Sequence, residues 1–236
     1  YWPSRSSYFG ISDLAGLPKD RFYLYRSRWN PTEETLHILP HWNWKGREGE
    51  VTPVFVYTNY NSAELFVNGK SQGIQRKVSD QSKQHRYRLM WMDVKYEPGT
   101  LKVVAYDDNG KAVAEKSVVT AGKPYTIKLE ADRNVIQADG EDISFVTATV
   151  VDKNGNECLT ANNQLNFNVR GAGAYRAACN GDATSLEQFH LPTMKVFNGK
   201  LVILVQSTSE TGSIQLDVTG AGLKKAQIQL EAISPR

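Results

Sequence analysis

The chain has 236 residues, 40% of them hydrophobic, with 28 Lys and Arg against 25 Asp and Glu for a formal charge of +3, which is enough for one large domain or two ordinary ones with separate cores. The charge divides as +3 over residues 1–47 (7 basic, 4 acidic), +1 over 48–121 (10 and 9) and −1 over 122–236 (11 and 12), so no part has the one-sided basic field of a nucleic-acid binder. No run of about 18 apolar residues exists that could cross a membrane as a helix.

The opening Tyr1-Trp2-Pro3-Ser4-Arg5 lacks an initiating Met and the basic-then-apolar pattern of a secretion signal, and is expected to be a stretch cut from a longer chain. Ser4, Ser6 and Ser7 sit in no G-x-S-x-G elbow and have no histidine nearby, so a nucleophilic serine is not expected. Residues 13–29 are predicted to form the one helix: Pro18 suits a first turn, Phe22, Tyr25 and Trp29 share a face, and Asn30-Pro31 stops it. Such an aromatic face needs something to dock on.

From Leu36 onward, short β-rich runs alternate with turn residues, the signature of sandwiches. The first set is His37–Trp42, Thr52–Thr58, Ala63–Val67, Tyr87–Trp91, Leu101–Tyr106 and Ala112–Val119. Asn68-Gly69, Pro98-Gly99 and Asp107-Asp108-Asn109-Gly110 punctuate it, the Asn and Gly tolerating positive φ in hairpins. The basic cluster Lys70, Arg76, Lys77, Lys83, Arg86 and Arg88 is expected in a solvated loop.

Ala121-Gly122-Lys123-Pro124 marks a boundary. The second set is Thr126–Ala131, Ile143–Asp152, Leu165–Arg170, Tyr175–Cys179, Leu201–Thr208, Ser213–Thr219 and Lys225–Glu231. Ile143–Val151 is apolar or β-branched on both faces, which suits a central strand. Each set has the size and strand number of an immunoglobulin-like domain.

Leu39-Pro40-His41-Trp42-Asn43-Trp44 raises a sugar-binding question. As a strand it would point His41 and Asn43 one way and Trp42 and Trp44 the other. Packing is the favoured role, because buried aromatics dominate core energetics. His37 and His41 would lie about 13 Å apart on a strand, too far to share a metal. Asp152-Lys153-Asn154-Gly155-Asn156-Glu157 has its Gly at position four and no glutamate at twelve, so it reads as a hairpin turn and not a calcium loop. Cys158 and Cys179 lack metal-ligand spacing. They are expected as buried free thiols, with a single bridge as the alternative in an oxidising compartment.

The runs YWPSRSSYFGISDLAGLPKDRFYLYRSRW, HILPHWNW and VYTNYNSAELFVNGKSQG, in this order over residues 1–73, resemble the end of a glycoside hydrolase family 2 enzyme of the β-galactosidase type. EPGTLKVVAYDDNGK, DGEDISFVTATVVDKNGNE and NGDATSLEQF resemble the accessory β-domains of such enzymes. The resemblance implies a mostly β fold: two immunoglobulin-like β-sandwiches in tandem (36–121 and 122–236), preceded by a short helical remnant of a (β/α)8 barrel, its last loop and helix (1–35). It implies retaining hydrolysis by a pair of glutamates about 5.5 Å apart. Asp13, Asp20, Glu33 and Glu34 match neither glutamate, so no catalytic residue is expected here and the piece alone should be inactive.

The last barrel loop borders the pocket, which makes Trp2 and Arg5 the substrate-binding candidates, by stacking on a sugar and by hydrogen bonding. No cofactor or metal is expected. The expected partners are the barrel and N-terminal domains of the parent chain and a carbohydrate substrate, with no nucleic acid and no membrane. The family suggests a periplasmic or secreted parent. The other possibilities are a carbohydrate-binding module and a structural spacer or intersubunit domain.

Overall fold

The computed structural model describes residues 9–78 and 82–235. They form two compact units: one from Pro18 to Thr120, the other joining the segment up to Leu17 with Ala121 onward. The stretch read as a barrel remnant is thus divided between them at Leu17/Pro18.

In the first unit, α1 (Asp20–Trp29) precedes β1 (Leu36–Leu39), β2 (Val54–Thr58), β3 (Ser62–Val67), β4 (Lys70–Arg76), α2 (Lys83–Tyr87), β5 (Leu89–Trp91), β6 (Thr100–Tyr106) and β7 (Ala112–Val119). A sheet of order β1-β2-β5 faces one of order β4-β3-β6-β7. Strict alternation on β6 sends Leu101, Val103 and Ala105 inward, where they meet Val54, Val56, Leu65 and Trp91. The Asn68-Gly69 hairpin closes as the sequence predicts, with both residues at positive φ (48° and 82°) and Val67 opposite Lys70, the backbone that a two-residue turn between twisted strands requires.

Four of the six residues of the basic cluster lie in regular elements and not in a loop, with Lys77 and Arg88 just outside them. Lys70–Arg76 is an exposed edge strand and Lys83–Tyr87 a short helix. Burial patterning could not announce a strand whose side chains nearly all face water.

The helix is also shorter than expected and starts at Asp20. Upstream, the Asp13 carboxylate accepts the N–H groups of Ala15 and Leu17, both at 2.9 Å, and Gly16 has φ +81°. An Asp that captures nearby backbone donors, followed by a left-handed Gly, makes a turn and blocks helix propagation.

The second unit contains β8 (Thr126–Ala131), β9 (Val135–Gln137), β10 (Ile143–Val151), β11 (Gln164–Gly171), β12 (Gly173–Cys179), β13 (Thr193–Lys195), β14 (Lys200–Ser207), β15 (Gly212–Gly220) and β16 (Ala226–Ile233). A sheet of order β12-β14-β10-β8 faces one of order β13-β11-β15-β16-β9. All its ladders are antiparallel except β16 with β9. β10 is central, paired with β14 and β8, and residues Ala148–Val151 are buried on both faces. Their inward neighbours include Leu165, Leu201, Ile203, Leu216 and Val218.

The Asp152–Glu157 segment is the expected hairpin turn. Asp152 Oδ1 accepts the N–H groups of Asn154 and Asn156, and Oδ2 accepts Gly122 N–H and Asn156 Nδ2, at 2.7–3.0 Å. Every side of the carboxylate is spent on a donor, so the residue that would open a calcium loop is committed to the turn.

Cys158 and Cys179 are not bridged to each other; Cys158 is buried and Cys179 half-buried, its Sγ 3.5 Å from Leu14 O. Burial, then the nearby Asp152 charge, pushes the Cys158 thiol up to about 11. It is therefore a poor nucleophile at neutral pH.

Candidate functional site

Trp2 and Arg5 lie outside the described residues. The motif that raised the sugar question is fully described. β1 ends at Leu39, and Pro40 to Trp44 run as irregular chain. Period-two alternation does not apply there, and His41 comes to stack on Trp44 with centroids 4.2 Å apart.

Trp42 is fully buried (0% exposed), edge-on to Tyr96 at 5.0 Å. Its Nε1 donates to Glu97 O at 2.8 Å, and its own carbonyl accepts Thr120 Oγ1. It seals the sandwich's own core and offers no sugar platform. Trp44 is half-buried, with the Arg47 guanidinium 5.0 Å from its ring. Burial lowers the His41 pKa against a smaller opposing pull from Asp20, which favours the neutral imidazole.

Helix α1 has no buried residue. It is held by polar and ring contacts. Tyr23 stacks on His37 with centroids 3.9 Å apart, His37 Nε2 lies 2.7 Å from Asp20 Oδ1, and Arg26 donates to Thr35 Oγ1 and to Glu33 at 3.0 and 2.8 Å. The opposite side carries Tyr25 stacked on Trp29 at 4.7 Å, with Trp29 74% exposed.

The four carboxylates of the front segment all have structural duties. Asp13 closes its turn, Asp20 meets His37, Glu33 pairs with Arg26, and Glu34 accepts the Tyr60 hydroxyl. Among the described residues no group of three His, Cys, Asp or Glu is placed to hold a metal.

Within the first unit lies a cleft of about 690 Å³. Its lining brings four cations together: Arg28 from the end of α1, Arg76 and Lys77 from the end of β4, and Arg86 from α2. Tyr87, Asn61 and Asp108 in the β6–β7 turn, the one lining carboxylate among the described residues, stand beside them. Asp108 accepts Asn61 Nδ2 at 3.0 Å, and the Arg28 guanidinium stands 6.0 Å from the Tyr87 ring centre.

Lys77 reaches inward and donates to Thr58 O. Burial first, and the Arg28 charge second, pull its ammonium down to about 8. Sequence inspection missed this cleft because its residues come from separate segments, with Arg76 and Arg86 10 positions apart and Arg28 and Asp108 80 apart; the one available signal was a basic cluster too dense for an ordinary edge strand.

Two consecutive sandwiches preceded by an aromatic helix define the class, a tandem immunoglobulin-like β chain. Residues 127–229 match the model of glycoside hydrolase family 2 C-terminal domain 5, and residues 49–114 match a domain of unknown function, DUF4982. Over 231 residues the chain is 45% identical to the β-galactosidase BoGH2A of Bacteroides ovatus, covering 98% of this chain and 26% of that protein. Over 228 residues it is 28% identical to a β-glucuronidase of Formosa agariphila, covering 95% and 22%.

The crystal structure of a β-glycosidase from Bacteroides vulgatus superimposes with a TM-score of 0.90 at 33% identity, covering 98% of this chain and 29% of that one. The chain belongs to glycoside hydrolase family 2, as a C-terminal region of it. It spans about a quarter of the length of the curated relatives it matches.

Proposed function

We propose that this chain is the C-terminal accessory region of a retaining, β-galactosidase-like glycoside hydrolase that is periplasmic or secreted. In this proposal α1 and the segment before it close the catalytic barrel, and the two sandwiches support it. The observation that carries this is the alignment along 98% of the chain with a solved β-glycosidase of which it makes up 29%.

The uncovered side of α1 supports the same assignment. The Trp29 ring, exposed and stacked on a half-buried Tyr25, is the kind of apolar surface that a neighbouring domain covers. Asp13, Asp20, Glu33 and Glu34 are each engaged in a structural contact, so the front segment supplies no free acid/base pair for glycoside cleavage. The chain alone is therefore expected not to hydrolyse an aryl β-galactoside. Turnover that scales with protein concentration and survives repurification would refute this.

A further inference from the structure

We infer that Asn109, in the β6–β7 turn, is the first site of spontaneous covalent modification in this chain, by deamidation and isomerisation of its main chain. The chemistry needs an Asn followed by a residue of little bulk. The backbone nitrogen of that next residue loses its proton and attacks the Asn Cγ. The side-chain nitrogen leaves as ammonia, and water then opens the succinimide at either carbonyl to give aspartate or isoaspartate. Glycine suits the second position because it has no Cβ and the widest choice of backbone angles.

The sequence holds five Asn-Gly pairs, at Asn68, Asn109, Asn154, Asn180 and Asn198, and the fold treats them differently. Asn68 Oδ1 accepts Thr100 N–H at 2.8 Å and its Nδ2 donates to Pro98 O at 3.2 Å, so this amide is held at both ends. Asn180 is buried; its Nδ2 donates to Lys195 O at 2.9 Å and its Oδ1 accepts Asp182 N–H at 3.2 Å. At Asn198 the attacking group is the one held. Gly199 is buried, its N–H donates to Ala161 O at 3.1 Å and its carbonyl accepts Val150 N–H at 2.8 Å.

Asn109 and Asn154 are both exposed, and neither side-chain amide has a hydrogen-bond partner among the described residues. They occupy matching turns, 107–111 and 152–156. In each, the leading Asp accepts the N–H groups of the residues two and four positions on, and the Gly N–H donates to that Asp's carbonyl. The attack needs the Gly nitrogen released, so its rate follows the cost of opening the turn. Asp152 binds four donors across both oxygens, including Gly122 N–H from outside the turn. Asp107 binds two, both on Oδ1, and the tie from its turn to another segment is Asp108 to Asn61 Nδ2 at 3.0 Å. The turn at Asn109 is the one held by fewer bonds to its carboxylate.

The product adds a third negative charge beside Asp107 and Asp108. In the isoaspartyl form the main chain also runs through one extra methylene, so a turn closed by Asp107 N–H to Lys111 O and by Lys111 N–H to Asp107 Oδ1 must rearrange.

The test is tryptic peptide mapping by mass spectrometry, with chromatography to separate aspartate from isoaspartate, on the full chain aged at mildly alkaline pH in native buffer and in guanidinium chloride. In the native chain Asn109 should convert about threefold or more faster than Asn154 and about tenfold or more faster than the other three. In denaturant, where these bonds are gone, the five rates should agree to about twofold. Asp152→Asn, checked for folding by circular dichroism, should speed conversion of Asn154 about tenfold and leave Asn109 as it was.

The inference is overturned if another Asn-Gly pair leads in the native chain, or if the same order and spread persist in denaturant. It is equally overturned if Asp152→Asn leaves Asn154 as slow as before.

Discussion

Replacing Asp152 with Asn tests how the second sandwich is anchored to the segment that leads into it. The carboxylate accepts two donors on each oxygen. Whichever way an Asn amide is turned, its NH2 group faces two donors, so two charge-assisted bonds are lost. The cost is about 2–4 kcal/mol. Peptide-level hydrogen exchange should show the opening of Ile143–Cys158 favoured about 30-fold or more, with Leu36–Val119 unchanged.

The same variant carries a pH signature. Burial would raise the Asp152 pKa, but the donors from Gly122, Asn156 and Asn154 outweigh it and hold the group at about 2, below the reference 3.8. A depressed folded-state value means the stabilisation is fully present above pH ~4 and is lost as pH falls toward ~2. Its size is about 2 kcal/mol. Asp152→Asn should flatten that part of the acid-unfolding curve. A loss below about 1 kcal/mol at neutral pH, or an acid limb identical to the parent's, would refute the assignment.

Further outcomes concern packing. Trp42→Ala removes a fully buried indole and its bond to Glu97 O and should cost about 3–5 kcal/mol in chemical denaturation of the first sandwich; a cost near 1 would mean that the ring is not core. Gly171→Ala puts a Cβ 2.1 Å from Ser213 O at a φ of +88° and should destabilise the β11–β15 ladder by more than about 2 kcal/mol. Trp29→Ser, at a residue 74% exposed, should change the stability of this chain by less than about 0.5 kcal/mol. In the parent protein the same change should weaken the fold measurably if the barrel covers that face, and an unchanged melting curve there would count against the proposed docking.

Most strands were legible because one face of each is buried, and alternation such as that of Leu101, Val103 and Ala105 writes itself into the sequence. The omissions have a common cause. β4 buries almost nothing, while β9 and β13 have three residues each, too few for any period to register. At Pro40 to Trp44 aromatic content imitated a strand, yet the chain there follows its contacts, with Trp42 going inward and His41 folding onto Trp44. Asp13 and Gly16 do carry a turn signal, and it was overridden by the helical spacing downstream. The cationic cleft was not legible because proximity among α1, β4, α2 and the β6–β7 turn is a product of tertiary structure alone.

The character of β4 has a consequence for how such a chain behaves in company. It is the terminal strand of its sheet, and an unpaired strand edge can template intermolecular pairing. Here Lys70 and Arg76 stand at its two ends, its register against β3 shifts between Glu64 and Phe66, and the indole of Trp91 holds Gly73 O at 2.9 Å. A neighbouring chain approaching in the plane of the sheet meets positive charge, a broken repeat and a carbonyl already bonded. Protection against self-templated aggregation is thus built into the strand that burial patterning could not reveal.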